Sequence, residues 1–170
     1  MEVWKQFDRN LVSHSAAHHL TAIQLLIDRH GYARVSDVAR FLEITRGSVS
    51  ITVRKLKDRE LIREDENRFL LLTPRGSRLA RSILARQQVL QTFFQDILGI
   101  EPELAGVDSC KLEHLVSAPT SSRLMELIGF LRDDPDGQRV LERFRQARAT
   151  GPRPGDDAAA DDDPHLLESL

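Results

Sequence analysis

The chain has 170 residues, 41% hydrophobic and 29% charged, enough for one ordinary core or for a small module plus a second helical one. It contains no apolar run of ~18 residues able to span a membrane, its opening MEVWKQFDRN lacks the basic-then-apolar order of a signal peptide, and its single cysteine rules out an internal disulfide. The net charge of −2 conceals an asymmetry: residues 1–90 hold 16 Lys/Arg against 10 Asp/Glu, while residues 91–170 hold 8 against 16, so the front half suits a polyanionic partner.

In chain order, Leu20, Ile23, Leu26 and Ile27 recur at helical spacing and predict a helix from about Ser15 to Arg29, stopped by Gly31. A short helix follows, with Ser36 as its expected N-cap and Val38, Ala39 and Leu42 as its buried stripe. After the tight link EIT, Thr45 caps a third helix that buries Val49, Val53 and Leu56. LIRE and RFLLL, joined by the polar DEN, form a hairpin.

Thr73 and Pro74 then start a long helix running to about Leu98, with Gly99 ending it. A helix from about Pro102 carries Cys110, Glu113 and His114, and one or two more follow before Thr150. The remaining GPRPGDDAAADDDPHLLESL has the composition of a disordered acidic tail. The chain therefore divides into 1–73, 74–150 and the tail 151–170. Its expected fold is mainly α, an N-terminal winged helix-turn-helix followed by an all-helical domain.

In that motif the second helix of the pair enters the DNA major groove. On the helix from Arg46 to Arg59 the residues left over from the core are Arg46, Gly47, Ser48 and Ile51, with Ser50, Thr52 and Lys55 on the flank. Arg46 can donate two hydrogen bonds to a guanine edge, and Ile51 can meet a thymine methyl. Gly47 and Ser48 permit close approach. Arg34, Ser36, Ser50, Thr52 and Lys55 suit phosphate contacts, with Arg68 reaching from the wing.

Cys110, Glu113 and His114 stand at relative positions 0, 3 and 4, which on a helix share one face. Thiolate, carboxylate and imidazole are transition-metal ligands, and a tight site needs about four. The first helix offers His14, His18 and His19, of which His14 and His18 are one turn apart while His19 points elsewhere. The bland alternative is a buried cysteine on a packed helix beside unrelated surface histidines.

HGYARVSDVARFLEITRGSVSITVRKLKDRELI, LTPRGSRLAR, DILGI and CKLEHLVS together resemble the diphtheria toxin repressor and manganese transport regulator family over about residues 15–130. The resemblance is to the form without the SH3-like third domain. It implies a cytoplasmic homodimeric repressor, not an enzyme, that binds a divalent transition metal and then double-stranded operator DNA, with no membrane partner. It also implies metal ligands at His18, Cys110, Glu113 and His114. Where the family's second metal site has charged or imidazole ligands, this chain has Gln87, Gln91, Thr21 and Gly106, so one metal is expected rather than two. The thiolate and imidazoles lean toward Fe(II) over Mn(II), with Zn(II) close behind. The alternative is a metal-independent winged-helix regulator with Cys110 as a redox sensor.

Overall fold

The computed structural model describes residues 12–113 and 115–150. His114 and the acidic tail 151–170 lie outside the described residues. Seven α-helices and a two-stranded antiparallel sheet are seen: α1 His14–His30, α2 Val35–Phe41, α3 Arg46–Asp58, β1 Ile62–Glu64, β2 Leu70–Leu72, α4 Pro74–Thr92, α5 Pro102–Leu112, α6 Ala118–Asp133 and α7 Pro135–Thr150. The architecture is the expected winged helix-turn-helix followed by helices.

Local chemistry sets most boundaries. The Thr45 hydroxyl accepts from the Ser48 N–H at the start of α3, and the Thr73 hydroxyl accepts from the Gly76 N–H at the start of α4, with Pro74 in the first turn. Gly31 closes α1 at φ 81°, its N–H donating to the Ile27 carbonyl. Ser36, however, is not the cap of α2. It sits inside the first turn, and the cap is Arg34, whose N–H donates to the Asp37 carboxylate at 3.1 Å. A carboxylate inside the helix reaches back to the chain end and outcompetes the hydroxyl.

The long helix also departs from expectation. α4 stops at Thr92, and Phe93–Ile97 continues as one π-helical turn before Gly99 reverses the chain at φ 64°.

The core is built on α1. Ala17, Leu20 and Ile23 are fully buried there and share one cluster with Val38 of α2, Val49 and Leu56 of α3, Leu70 of β2, and Ala80 and Ile83 of α4. Each large side chain so buried contributes about 1.5–3 kcal/mol. A polar contact accompanies the apolar ones: Gln24 of α1 is buried, donates to Asp28 at 2.8 Å and accepts from the Ser77 hydroxyl of α4 at 3.0 Å. The wing pairs Ile62 with Leu72 and Glu64 with Leu70. Its base meets α4 closely, since a Cβ on Gly76 would lie 1.9 Å from the Leu61 carbonyl oxygen.

By internal contacts the chain falls into two compact units, Met1–Met125 and Glu126–Leu170. The division expected at 73/74 lies between β2 and α4, inside the first unit. In the second unit, Gly137 of α7 sits where a Cβ would be 2.0 Å from the Phe130 carbonyl oxygen, so the two backbones meet directly.

Candidate metal centre and nucleic-acid interface

Ser13 fixes where α1 begins, its hydroxyl accepting from the Ala16 N–H at 3.4 Å. His14 and His18 therefore project from the same face one turn apart. Across from them stands Cys110 on α5, and both helices pack on α4. The His18 Nε2 is 3.2 Å from the Cys110 Sγ, the His14 Nε2 is 4.0 Å from it, and the two Nε2 atoms are 3.0 Å apart. The three donors lie within 4.8 Å of one another, the one such group of His, Cys, Asp and Glu among the described residues.

This triangle fits a transition metal. With metal–nitrogen bonds of about 2.0–2.1 Å and a metal–sulfur bond of about 2.3 Å, a tetrahedral ion separates its donors by roughly 3.3–3.6 Å. The three observed edges bracket that range.

Of the expected ligands, the structure brings His18 and Cys110 together. Glu113 does not join the donor group. Glu113 is the C-cap of α5, still at helical φ −53° and ψ −35° with its N–H donating to the Ser109 carbonyl. Its side chain is buried, and its backbone carbonyl accepts from Arg86 Nε of α4 at 2.7 Å. Burial pushes the Glu113 carboxyl up to about 7, against the opposing pull of the Arg86 guanidinium. Burial, and then the nearby Glu113 carboxylate, also pushes the Cys110 thiol up. His114 lies outside the described residues.

His19 turns away, buried, with Nδ1 donating to the Ser15 carbonyl at 2.7 Å. His14, whose i, i+4 spacing from His18 is visible in the sequence, completes the donor group. At the second-site positions, Thr21 is buried and its hydroxyl donates to the Ala17 and His18 carbonyls, while Gln87 and Gln91 are half-buried.

The recognition helix presents two polar faces. Arg34, Ser36, Arg46, Ser50 and Arg68 line a cleft of about 510 Å³ between α2, α3 and the wing. Arg54, Lys57 and Glu64 line it as well, and Lys57 pairs with Glu64 to tie α3 to β1. Arg54 and Lys57 were missed, although their spacing from Arg46 and Ser50 follows one side of a helix. The Arg34 guanidinium stacks 4.4 Å over the Phe69 ring, which anchors α2 to the wing.

Gly47, Ser48, Ile51 and Lys55 are exposed outside this cleft, and Thr52 is half-buried. Ile51 is 61% exposed, an apolar side chain held out to solvent on a basic helix. The Ser50 hydroxyl donates to the Arg46 carbonyl, leaving its oxygen free to accept. No described helix is long and apolar enough to cross a membrane.

Comparison with known proteins places both halves of the chain. Residues 73–142 match the family model described as iron dependent repressor, metal binding and dimerisation domain, and residues 17–68 match the MarR family model. The chain is 36% identical over 125 residues to the HTH-type transcriptional regulator MntR of Lysinibacillus sphaericus, covering 73% of this chain and 88% of that one. Among solved structures, T. acidophilum IdeR superposes with a TM-score of 0.59 at 26% identity, over 66% of this chain and 53% of its own. The manganese regulator SloR shares the fold, with a TM-score of 0.62 at 24% identity, over 68% of this chain and 54% of its own. The chain thus spans about half the length of these two solved relatives and nearly the whole of the MntR relative. By these matches, the chain belongs to the diphtheria toxin repressor and manganese transport regulator family of metal-dependent transcriptional regulators.

Proposed function

We propose that this protein is a repressor whose grip on operator DNA depends on a divalent transition metal held between α1 and α5, with residues 1–73 reading DNA and 74–150 sensing and dimerising. The observation that carries the reading is the approach of His18 to Cys110, 3.2 Å apart across two helices that both pack on α4. A bound metal would supply bonds shared by His18 and Cys110, with Glu113 and His114 as the family's further ligand positions. Cys110 and the histidines must give up their protons to serve, so affinity should fall at acid pH.

α1 also packs on α2, α3 and β2, so fixing its N-terminal end fixes the seat of the recognition helix. A dimer with two such helices spans successive major grooves only when their separation is set. Without that constraint, apparent affinity drops by the fraction of molecules in the competent arrangement. On the DNA, Arg46 and Ile51 read base edges. Arg34, Ser36, Ser50, Thr52, Lys55 and Arg68 hold phosphates, while Gly47 and Ser48 allow close approach.

Fe(II) is favoured over Mn(II), because a thiolate with imidazoles is softer than the oxygen-rich sets manganese prefers. The redox-sensor alternative needs an easily ionised thiol, whereas burial and Glu113 push Cys110 the other way. The test is DNA binding by the metal-free protein, repeated with Fe(II), Mn(II) and Zn(II) under reducing conditions. Affinity should rise with metal, and Cys110→Ala or His18→Ala should remove the rise. DNA affinity indifferent to every metal would overturn the reading.

A further inference from the structure

His14 has no part in the family resemblance, yet it supplies a corner of the donor triangle. Its Nε2 and that of His18 face each other at 3.0 Å, and the rings meet nearly edge to face, with centroids 4.3 Å apart and planes 70° from parallel. Only one N–H can occupy the line between two such nitrogens, so at least one of the two Nε2 atoms is unprotonated and offers a lone pair to a metal. Two histidines at i and i+4 on a helix are a recurrent ligand pair for zinc-like ions. Here the third donor is a thiol from another helix.

Resting on the proposed metal-dependent reading, we infer that His14 is a ligand of the same metal, so that this chain offers two imidazoles and a thiolate from His14, His18 and Cys110. This set selects Fe(II), Co(II) or Zn(II) and rejects Mn(II). Thiolate and imidazole bind these ions better than manganese, which stands lowest in the affinity order and prefers oxygen. The carboxylate that would harden the set, Glu113, stays out of the triangle. His14 is also its exposed member, so it closes the solvent side of the centre.

The test uses the full chain, stripped of metal and kept reduced. Titration with Co(II) should give a thiolate-to-cobalt charge-transfer band and visible bands of tetrahedral intensity. Competition against a chromophoric chelator should give Zn(II) binding at least about 100-fold tighter than Mn(II). In His14→Ala the charge-transfer band should persist, because Cys110 remains. Its visible bands should weaken and its Zn(II) affinity should fall at least about 10-fold.

Wild-type spectra and affinity in His14→Ala would overturn the assignment, and Mn(II) binding within a factor of ten of Zn(II) would overturn the selectivity. Failure of the underlying reading looks different, since the wild-type protein would then show no charge-transfer band and Cys110→Ser would leave metal affinity unchanged. His14 is exposed, so its replacement leaves the core intact, which a thermal melt of the metal-free variant verifies.

Discussion

His18 and Cys110 are separated by 92 positions in the chain and by 3.2 Å in space. One belongs to the helix at the centre of the DNA-reading core, the other to the helix after the long α4. Cys110→Ser should therefore do more than weaken metal binding. It should uncouple metal from DNA, leaving metal-free DNA affinity unchanged while the metal-induced gain falls at least about 10-fold. Fluorescence anisotropy with labelled operator DNA, with and without metal, measures both numbers.

On the recognition helix, Arg46→Ala and Lys55→Ala should fail differently. Loss of a bidentate guanine contact costs about 1–3 kcal/mol of discrimination between operator and random DNA. Loss of a phosphate contact weakens binding to all sequences alike and lowers the salt slope by about 0.9. Binding curves at several salt concentrations separate the two. A sequence-independent defect in Arg46→Ala would remove it from the base-reading set.

Gly76 predicts a stability effect independent of function. With its would-be Cβ 1.9 Å from the Leu61 carbonyl oxygen, Gly76→Ala must force α4 away from the wing. The cost is that of overpacking, about 1–3 kcal/mol, read as a lower urea midpoint with little change in slope.

The Glu113 carboxyl gives a pH signature in the metal-free protein. Its pKa rises from 4.5 to about 7 on folding. Between these values the folded chain keeps a proton that the unfolded chain has released, so stability is greatest at the acid end and declines as pH climbs through the interval. The urea midpoint should be higher at pH 5 than at pH 8, and Glu113→Gln should flatten that difference. An unchanged profile in the variant would assign the slope to other groups.

Much of this architecture was legible because its determinants are local. Thr45, Thr73 and Pro74 mark helix starts by their own chemistry, and Val49, Val53 and Leu56 mark a buried stripe by spacing alone. The Ser36 expectation failed because Ser36 and Asp37 are both able to cap, and only the backbone path decides which one reaches. The π-turn at Phe93–Ile97 has no breaker residue to announce it. Glu113 keeps the place near Cys110 that helical spacing gives it, but its side chain is buried apart from the donor triangle. The His14–His18 spacing was plain in the sequence, but the thiol opposite His14 comes from a residue 96 positions away, which only tertiary packing can supply.

α1 is a single helix of 17 residues that carries the donor pair at its start and packs on α2 and α3. At about 1.5 Å per residue it is a rod of roughly 25 Å. Rotation by about 5° around one end shifts the other by about 2 Å, a large fraction of a hydrogen-bond length. Small tilts at the histidine end thereby become contact-sized shifts at the far end of the helix. The Gln24–Ser77 bond ties the middle of this rod to α4.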